Sequence, residues 1–133
     1  MTTLIVEDDF TSRLLLQMFL SKYGDCHIAV NGKEAVEAYR MALRRKQPYN
    51  LICMDILMPL MDGHEAATTI RDYEDVQRIP ASARVKVFMI SSLNDEDSIV
   101  RSAREACDAY LVKPIDIGVL LSKLRAFGLV PGQ

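Results

Sequence analysis

Five short runs rich in Val, Ile and Leu recur along the chain, and they constrain its fold more than any other feature. They are TTLIV (2–6), CHIAV (26–30), NLICM (50–54), VKVFMI (85–90) and AYLV (109–112). Most lack strict polar–apolar alternation, so they suit strands buried on both faces, as in a parallel sheet. Between them lie longer segments with helical spacing. In residues 10–22, Leu14, Leu15, Met18 and Phe19 fall on one face. In residues 32–46, Ala35, Val36, Tyr39, Ala42 and Leu43 recur at i, i+3, i+4 spacing. Further helices are predicted near 63–74, 95–106 and 116–127. Asn31 with Glu34 and Asp62 with Glu65 have the spacing of capping boxes, and Asp116 can cap the last helix. Arg44, Arg45 and Lys46 close the second helix, where cations suit the dipole. The polar stretch DVQRIPASAR (75–84) reads as a surface loop. The order is βαβαβαβαβα, which predicts one doubly wound α/β domain with a five-stranded parallel sheet and right-handed crossovers.

Composition narrows the function classes. Lys and Arg total 16 against 18 Asp and Glu, a formal charge of −2, which gives no electrostatic footprint for nucleic acid. No apolar stretch approaches the ~20 residues of a membrane span. The start, MTTLIVEDD, lacks the basic and apolar regions of a signal peptide. Cys26, Cys53 and Cys107 form no CxxC pair and read as reduced thiols of a cytoplasmic protein. The phosphate-cradling GxxxxGK[ST] motif is absent. His27, inside the second strand, and His64, opening the third helix, sit in no phosphotransfer helix and read as ordinary residues.

In an open parallel sheet the functional crevice lies at the carboxyl ends of the strands. The first run ends in Glu7, Asp8 and Asp9, the third in Asp55, the fourth in Ser91 and Ser92, and the fifth in Lys113 before Pro114. The second ends in Asn31-Gly32, plain turn chemistry. Two carboxylates about 4 Å apart repel by ~4 kcal/mol at an effective dielectric near 20. Clustered acids of this kind need a cation, and hard oxygen ligands on a partly open rim suit Mg²⁺. Mg²⁺ beside a carboxylate is a place to bind a phosphoryl group. Lys113 adds a cation for it and Ser91 a donor, which leaves Asp55 as metal ligand and candidate nucleophile.

VEDD (6–9) with Arg13 after it, MDILMPLMDG (54–63), MISS (89–92) and YLVKP (110–114) together resemble the response-regulator receiver domain of two-component signalling. The resemblance covers residues 2–127 and implies a flavodoxin-like (βα)5 fold with strand order 2-1-3-4-5. It assigns a receiver domain to residues 1–127 and a short C-terminal tail to 128–133. It implies that Asp55 is the phosphorylation site. Mg²⁺ would be held by Glu7, Asp8, Asp55 and the backbone carbonyl of Leu57, with Asp8 the more direct acid. Lys113 would pair with phosphoryl oxygens, and Ser91 and Tyr110 would be the switch pair. Pro114 would follow a cis peptide.

The implied function is a phosphoacceptor switch, not a turnover enzyme, that assists its own Mg²⁺-dependent phosphorylation and dephosphorylation. The donor would be a sensor histidine kinase or a histidine phosphotransfer protein. The output would pass through the surface of the fourth helix, fifth strand and fifth helix to an unknown downstream protein. The chain would act as a monomer or phosphorylation-linked dimer, without direct nucleic-acid or membrane binding. Leu57 and Leu93, two residues after Asp55 and Ser91, are both apolar and predict a long-lived phosphorylated state. A phosphatase of the haloacid dehalogenase type is disfavoured because position 57 of its D-x-D pattern is Leu here. A docking module that is never phosphorylated is disfavoured because no acceptor, acidic or lysine position is missing. The Met1 start and the short tail, GLVPGQ, favour a stand-alone receiver over one cut from a longer chain.

Overall fold

The computed structural model describes residues 1–92 and 98–132. The five apolar runs become β1 (Thr3–Val6), β2 (Cys26–Ala29), β3 (Leu51–Asp55), β4 (Lys86–Ser92) and β5 (Ala109–Lys113). They alternate with α1 (Phe10–Leu20), α2 (Gly32–Arg44), α3 (Gly63–Val76), α4 (Ser98–Ala106) and α5 (Ile117–Ala126). All strand pairs are parallel, in the order β2-β1-β3-β4-β5, the flavodoxin-like arrangement. The start expected for the fourth helix, 95–97, lies outside the described residues.

The two-sided burial of the strands follows from the pleat, which sends successive side chains to opposite faces. Leu4, Val6, Ile52, Met54, Val87 and Met89 pack with Val36 and Ile70 of α2 and α3. Ile5, Leu51, Cys53, Phe88 and Ile90 pack on the other face with Leu16 and Leu20 of α1 and Leu120 and Leu124 of α5. Burial pushes the Cys53 thiol up to about 12, so it stays protonated and inert. The tail returns to this core: the Leu129 N–H donates to the Leu124 carbonyl at 2.9 Å, and Val130 is buried. Among the described residues, no helix is long and apolar enough to cross a membrane.

The first helix departs from its expected face. Leu16, Phe19 and Leu20 are its buried residues, while Leu14, Leu15 and Met18 are exposed. The helix is apolar on both sides, and sequence spacing alone does not say which stripe meets the sheet. Phe10, Leu14 and Met18, spaced i, i+4, i+8, form the outward stripe, with Phe10 and Met18 more than 60% exposed.

The expected caps form, with one change. Asn31, Asp62 and Asp116 accept the N–H groups of Glu34, Glu65 and Val119. Glu34 returns its carboxylate to the N–H of Val30, one residue before the cap. The stretch 75–84 is part helix, part turn: α3 runs to Val76 and a 3₁₀ turn covers Ala81–Ala83. Arg84 staples it by donating to the Ile79 carbonyl and pairing with Asp75 at 2.6 Å.

A polar clamp fixes the amino edge of the sheet. Buried Glu74 accepts the Tyr39 hydroxyl at 2.9 Å, the Val85 N–H at 3.0 Å and the Arg71 guanidinium at 2.7 Å. Arg71 also pairs with Asp108 at 2.9 Å, and Asp108 takes the Val87 N–H at 2.7 Å. Burial and the Glu74 charge hold the Tyr39 phenol above its ordinary range. The clamp ties α2 and α3 to the starts of β4 and β5, leaving the opposite edge free for the groups described below.

Lys46 and Arg78 take left-handed backbone, φ 58° and 55°, just after α2 and α3. Their N–H groups and those of Gln47 and Ile79 close the helix ends on preceding carbonyls. A non-glycine residue in this conformation costs about 1–2 kcal/mol, partly offset by glycine's unfolded-state entropy of about 0.5–1 kcal/mol. The double variant K46G/R78G is expected to raise the Tm by about 3–8 °C, and a scanning calorimetry run in which it melts no higher than the parent would contradict this.

Candidate functional site

Four strand ends converge on one carboxyl edge. The run of β1 stops at Glu7, followed by Asp8 and Asp9. Asp9 turns to α1, where its carboxylate accepts the Ser12 N–H at 2.9 Å, a bond that lowers its pKa. Glu7 and Asp8 remain beside Asp55, the last residue of β3, and one oxygen from each lies within 4.8 Å of the others. Glu7 and Asp55 are buried, while Asp8 is exposed on the rim.

Lys113, the last residue of β5, reaches over β4 to this group. Its Nζ lies 2.7 Å from Glu7 Oε1 and 3.1 Å from Asp55 Oδ2. Asp55 Oδ1 accepts the Leu57 N–H at 3.3 Å. The Lys113–Pro114 peptide is cis. Arg13 donates to the Glu7 carbonyl at 3.1 Å, anchoring α1 to the end of β1.

The turn after Asp55 explains the Asp-Gly pair. The Gly63 N–H donates to the Ile56 carbonyl at 2.7 Å, and a Cβ there would stand 2.7 Å from the Asp55 carbonyl oxygen. Only glycine lets α3 start this close to the strand. Gly32, read from sequence as plain turn chemistry, also serves the site. Its N–H donates to the Met61 carbonyl at 3.2 Å, and a Cβ would stand 2.4 Å from that oxygen. The second strand's turn therefore supports the loop that follows Asp55. Nothing in a single Asn-Gly pair signals that contact.

Ser91 is buried one strand away, and its hydroxyl meets the Tyr110 hydroxyl on β5. It also donates to the Ser92 carbonyl at 3.4 Å. Tyr110 has a further partner absent from the sequence reading. Arg104 of α4 donates to its hydroxyl at 3.1 Å and lies over its ring at 4.4 Å. Leu57 sits half-exposed at the rim, and Leu93 lies outside the described residues. His27 is exposed and bonds the Tyr49 hydroxyl at 2.7 Å, and His64 is the second residue of α3. Neither histidine is in the cluster of acids.

Burial, reinforced by the Asp55 charge, raises the Glu7 carboxyl to about 7 despite its bond to Lys113. Burial alone would lower Lys113, but its bond to Glu7 and the Asp55 charge hold it above its ordinary value. Glu7 Oε2 is buried without a hydrogen-bond partner. An orphaned carboxylate oxygen beside two more acids calls for a cation or a proton. The donors are all oxygen and one side is open, which fits Mg²⁺. With a raised folded pKa, Glu7 favours folding below about 4.5 and opposes it once ionised. Without Mg²⁺, Glu7→Gln is expected to match the parent's Tm near pH 4 and exceed it near pH 8. A difference that is constant between those values in a pH series of melts would contradict this.

Comparison with known proteins agrees with this architecture. A family profile described as the response regulator receiver domain matches residues 3–125. The transcriptional regulatory protein SrrA of Staphylococcus aureus (strain NCTC 8325 / PS 47) is 29% identical over 92% of this chain. The chain spans 46% of that protein's length. Among solved structures, one receiver domain is that of the response regulator Ssk1 of Saccharomyces cerevisiae, crystallised with the histidine phosphotransfer signalling protein Ypd1. It is similar with a TM-score of 0.75 and 29% identity, covering 97% of this chain and 89% of that one. A mutant receiver domain of the histidine kinase CKI1 from Arabidopsis thaliana gives a TM-score of 0.79 at 26% identity, covering 97% and 90%. With its parallel sheet, the acids and lysine at its carboxyl edge, and this match over nearly its whole length, the chain belongs to the receiver domain family of two-component response regulators.

Proposed function

We propose that Asp55 accepts a phosphoryl group from a phosphohistidine and that the chain works as a switch set by it. One observation carries this reading: Asp55 closes the central strand beside two other acids, with the Lys113 ammonium 3.1 Å from its Oδ2. In the transfer, a carboxylate oxygen of Asp55 bonds to phosphorus as the bond from phosphorus to the imidazole nitrogen breaks. That electron pair stays on the nitrogen. The Leu57 N–H and Lys113 hold Asp55 in place, and Lys113 pairs with a phosphoryl oxygen as negative charge leaves the donor. The Ser91 hydroxyl donates to another phosphoryl oxygen. Glu7, Asp8, Asp55 and the Leu57 carbonyl are the groups that would hold Mg²⁺. When bound, it neutralises the acids and supplies positive charge for the phosphoryl oxygens.

The donor is a sensor histidine kinase or a histidine phosphotransfer protein. The outward stripe of α1 supports this, because it starts at Phe10, two residues from Asp8. A groove of about 250 Å³ lined by Leu15, Met18, Phe19, Lys22 and Ile117 continues it toward α5. The receiver in complex with Ypd1 is a relative of comparable length. The acyl phosphate adds charge of about −2 and draws Ser91 toward it. That biases Tyr110 and the surface of α4, β5 and α5 in a population shift between two states. The output is contact with a downstream protein, and the setting is cytoplasmic.

The test is intact mass after incubation with Mg²⁺ and acetyl phosphate. The parent is expected to gain one hydroxylamine-labile phosphoryl group and Asp55→Asn none; equal gain in both would mean that Asp55 is not the acceptor. The side chains of Leu57, at the rim, and of Leu93 are apolar and offer an attacking water no hydrogen bond. Leu57→Asn with Leu93→Glu should therefore shorten the phosphorylated lifetime about tenfold, less than the ~10²-fold or more of a full general base. An unchanged decay curve would remove that role.

A further inference from the structure

We propose that Arg104 is a latch on the switch pair, holding Tyr110 and Ser91 together until Asp55 is phosphorylated; this rests on the reading of Asp55 above. Arginine carries no acceptor, so the bond at 3.1 Å runs from its Nη2 to the Tyr110 oxygen. The geometry then allows the phenol proton to point to Ser91 and the Ser91 proton to point to the Ser92 carbonyl, at 3.4 Å. In this arrangement a chain runs from Arg104 to Tyr110 to Ser91 to the Ser92 carbonyl, and it occupies both hydroxyl protons.

For Ser91 to donate to a phosphoryl oxygen, its proton must leave the Ser92 carbonyl and its oxygen must leave Tyr110. The latch resists that step. Once Ser91 has moved, Tyr110 loses its acceptor and the arrangement that Arg104 holds is broken. An event at a buried carboxylate thereby frees an exposed guanidinium on α4, a cation for an acidic group of a downstream protein.

The contact stands apart from ordinary surface pairs. The other cation–ring contacts among the described residues, at Phe10, Phe19, Tyr73 and Phe127, span 5.4–5.9 Å, against 4.4 Å here. Among the described residues, only this one also bonds the hydroxyl of the ring it covers. A planar guanidinium can stack and donate at once; an ammonium cannot.

The experiment uses the full chain labelled with 3-fluorotyrosine, with Tyr110→Phe assigning the Tyr110 fluorine resonance. R104M keeps the bulk over the ring without a donor or charge, and R104K keeps a donor without the planar stack. In the unphosphorylated protein, R104M should move the Tyr110 resonance. With Mg²⁺ and acetyl phosphate it should be phosphorylated about three- to tenfold faster than the parent, the range of one hydrogen bond. R104K should fall between the two. An unmoved resonance in R104M, or a moved one with an unchanged phosphorylation rate, overturns the latch. A parent that takes up no phosphoryl group overturns the reading of Asp55 and the latch's role with it. A parent that is phosphorylated at the same rate as R104M overturns the latch alone.

Discussion

The bridge from Lys113 to Glu7 and Asp55 is the interaction on which the rest of the site depends. Two of the acids are buried at the ends of β1 and β3, where water screens them poorly. Their mutual repulsion is relieved by one ammonium delivered from β5, two strands from Asp55 and three from Glu7. Only the parallel order of the sheet brings these ends to one edge. The bridge is also incomplete, since Glu7 Oε2 has no partner and Glu7 holds its proton up to about pH 7. An unpartnered oxygen beside buried Asp55 is a place for one more cation, and the oxygen donors fit Mg²⁺.

The scaffold fixes this edge by closing everything around it. The Glu74–Arg71–Asp108 clamp secures the amino edge, far from the chemistry. Gly63 and Gly32 bring the backbone of α3 and of the second strand's turn against the loop after Asp55, at distances no other side chain permits. The hydroxyls of Ser91 and Tyr110 meet on neighbouring strands, and α4 reaches them through Arg104. Closely packed backbone thus lies below the acids, and hydroxyls with alternative partners lie beside them.

Most of this was legible in the chain. Val, Ile and Leu runs without strict alternation announced buried parallel strands, because both faces of such a sheet are covered. Polar residues closing those runs announced Glu7, Asp8, Asp55, Ser91 and Lys113, because the carboxyl edge is where such a sheet opens. The facing of α1 was not legible, since Leu14, Leu15 and Met18 have the same spacing as a buried stripe and the choice between faces is tertiary. The service of Gly32 to the Asp55 loop, the clamp built on Glu74, and the reach of Arg104 to Tyr110 all depend on contacts between segments distant in sequence or on a side chain's course. Spacing carries no signal of them.

The central claim is that the phosphoryl group sits on Asp55, and borohydride trapping locates it most directly. Borohydride reduces an aspartyl phosphate to homoserine, which tandem mass spectrometry of the digested protein assigns to a residue. The account predicts homoserine at position 55, only after incubation with Mg²⁺ and a phosphodonor. Homoserine at position 8, 9 or 62, or a phosphorylated protein with aspartate intact at 55, would contradict it.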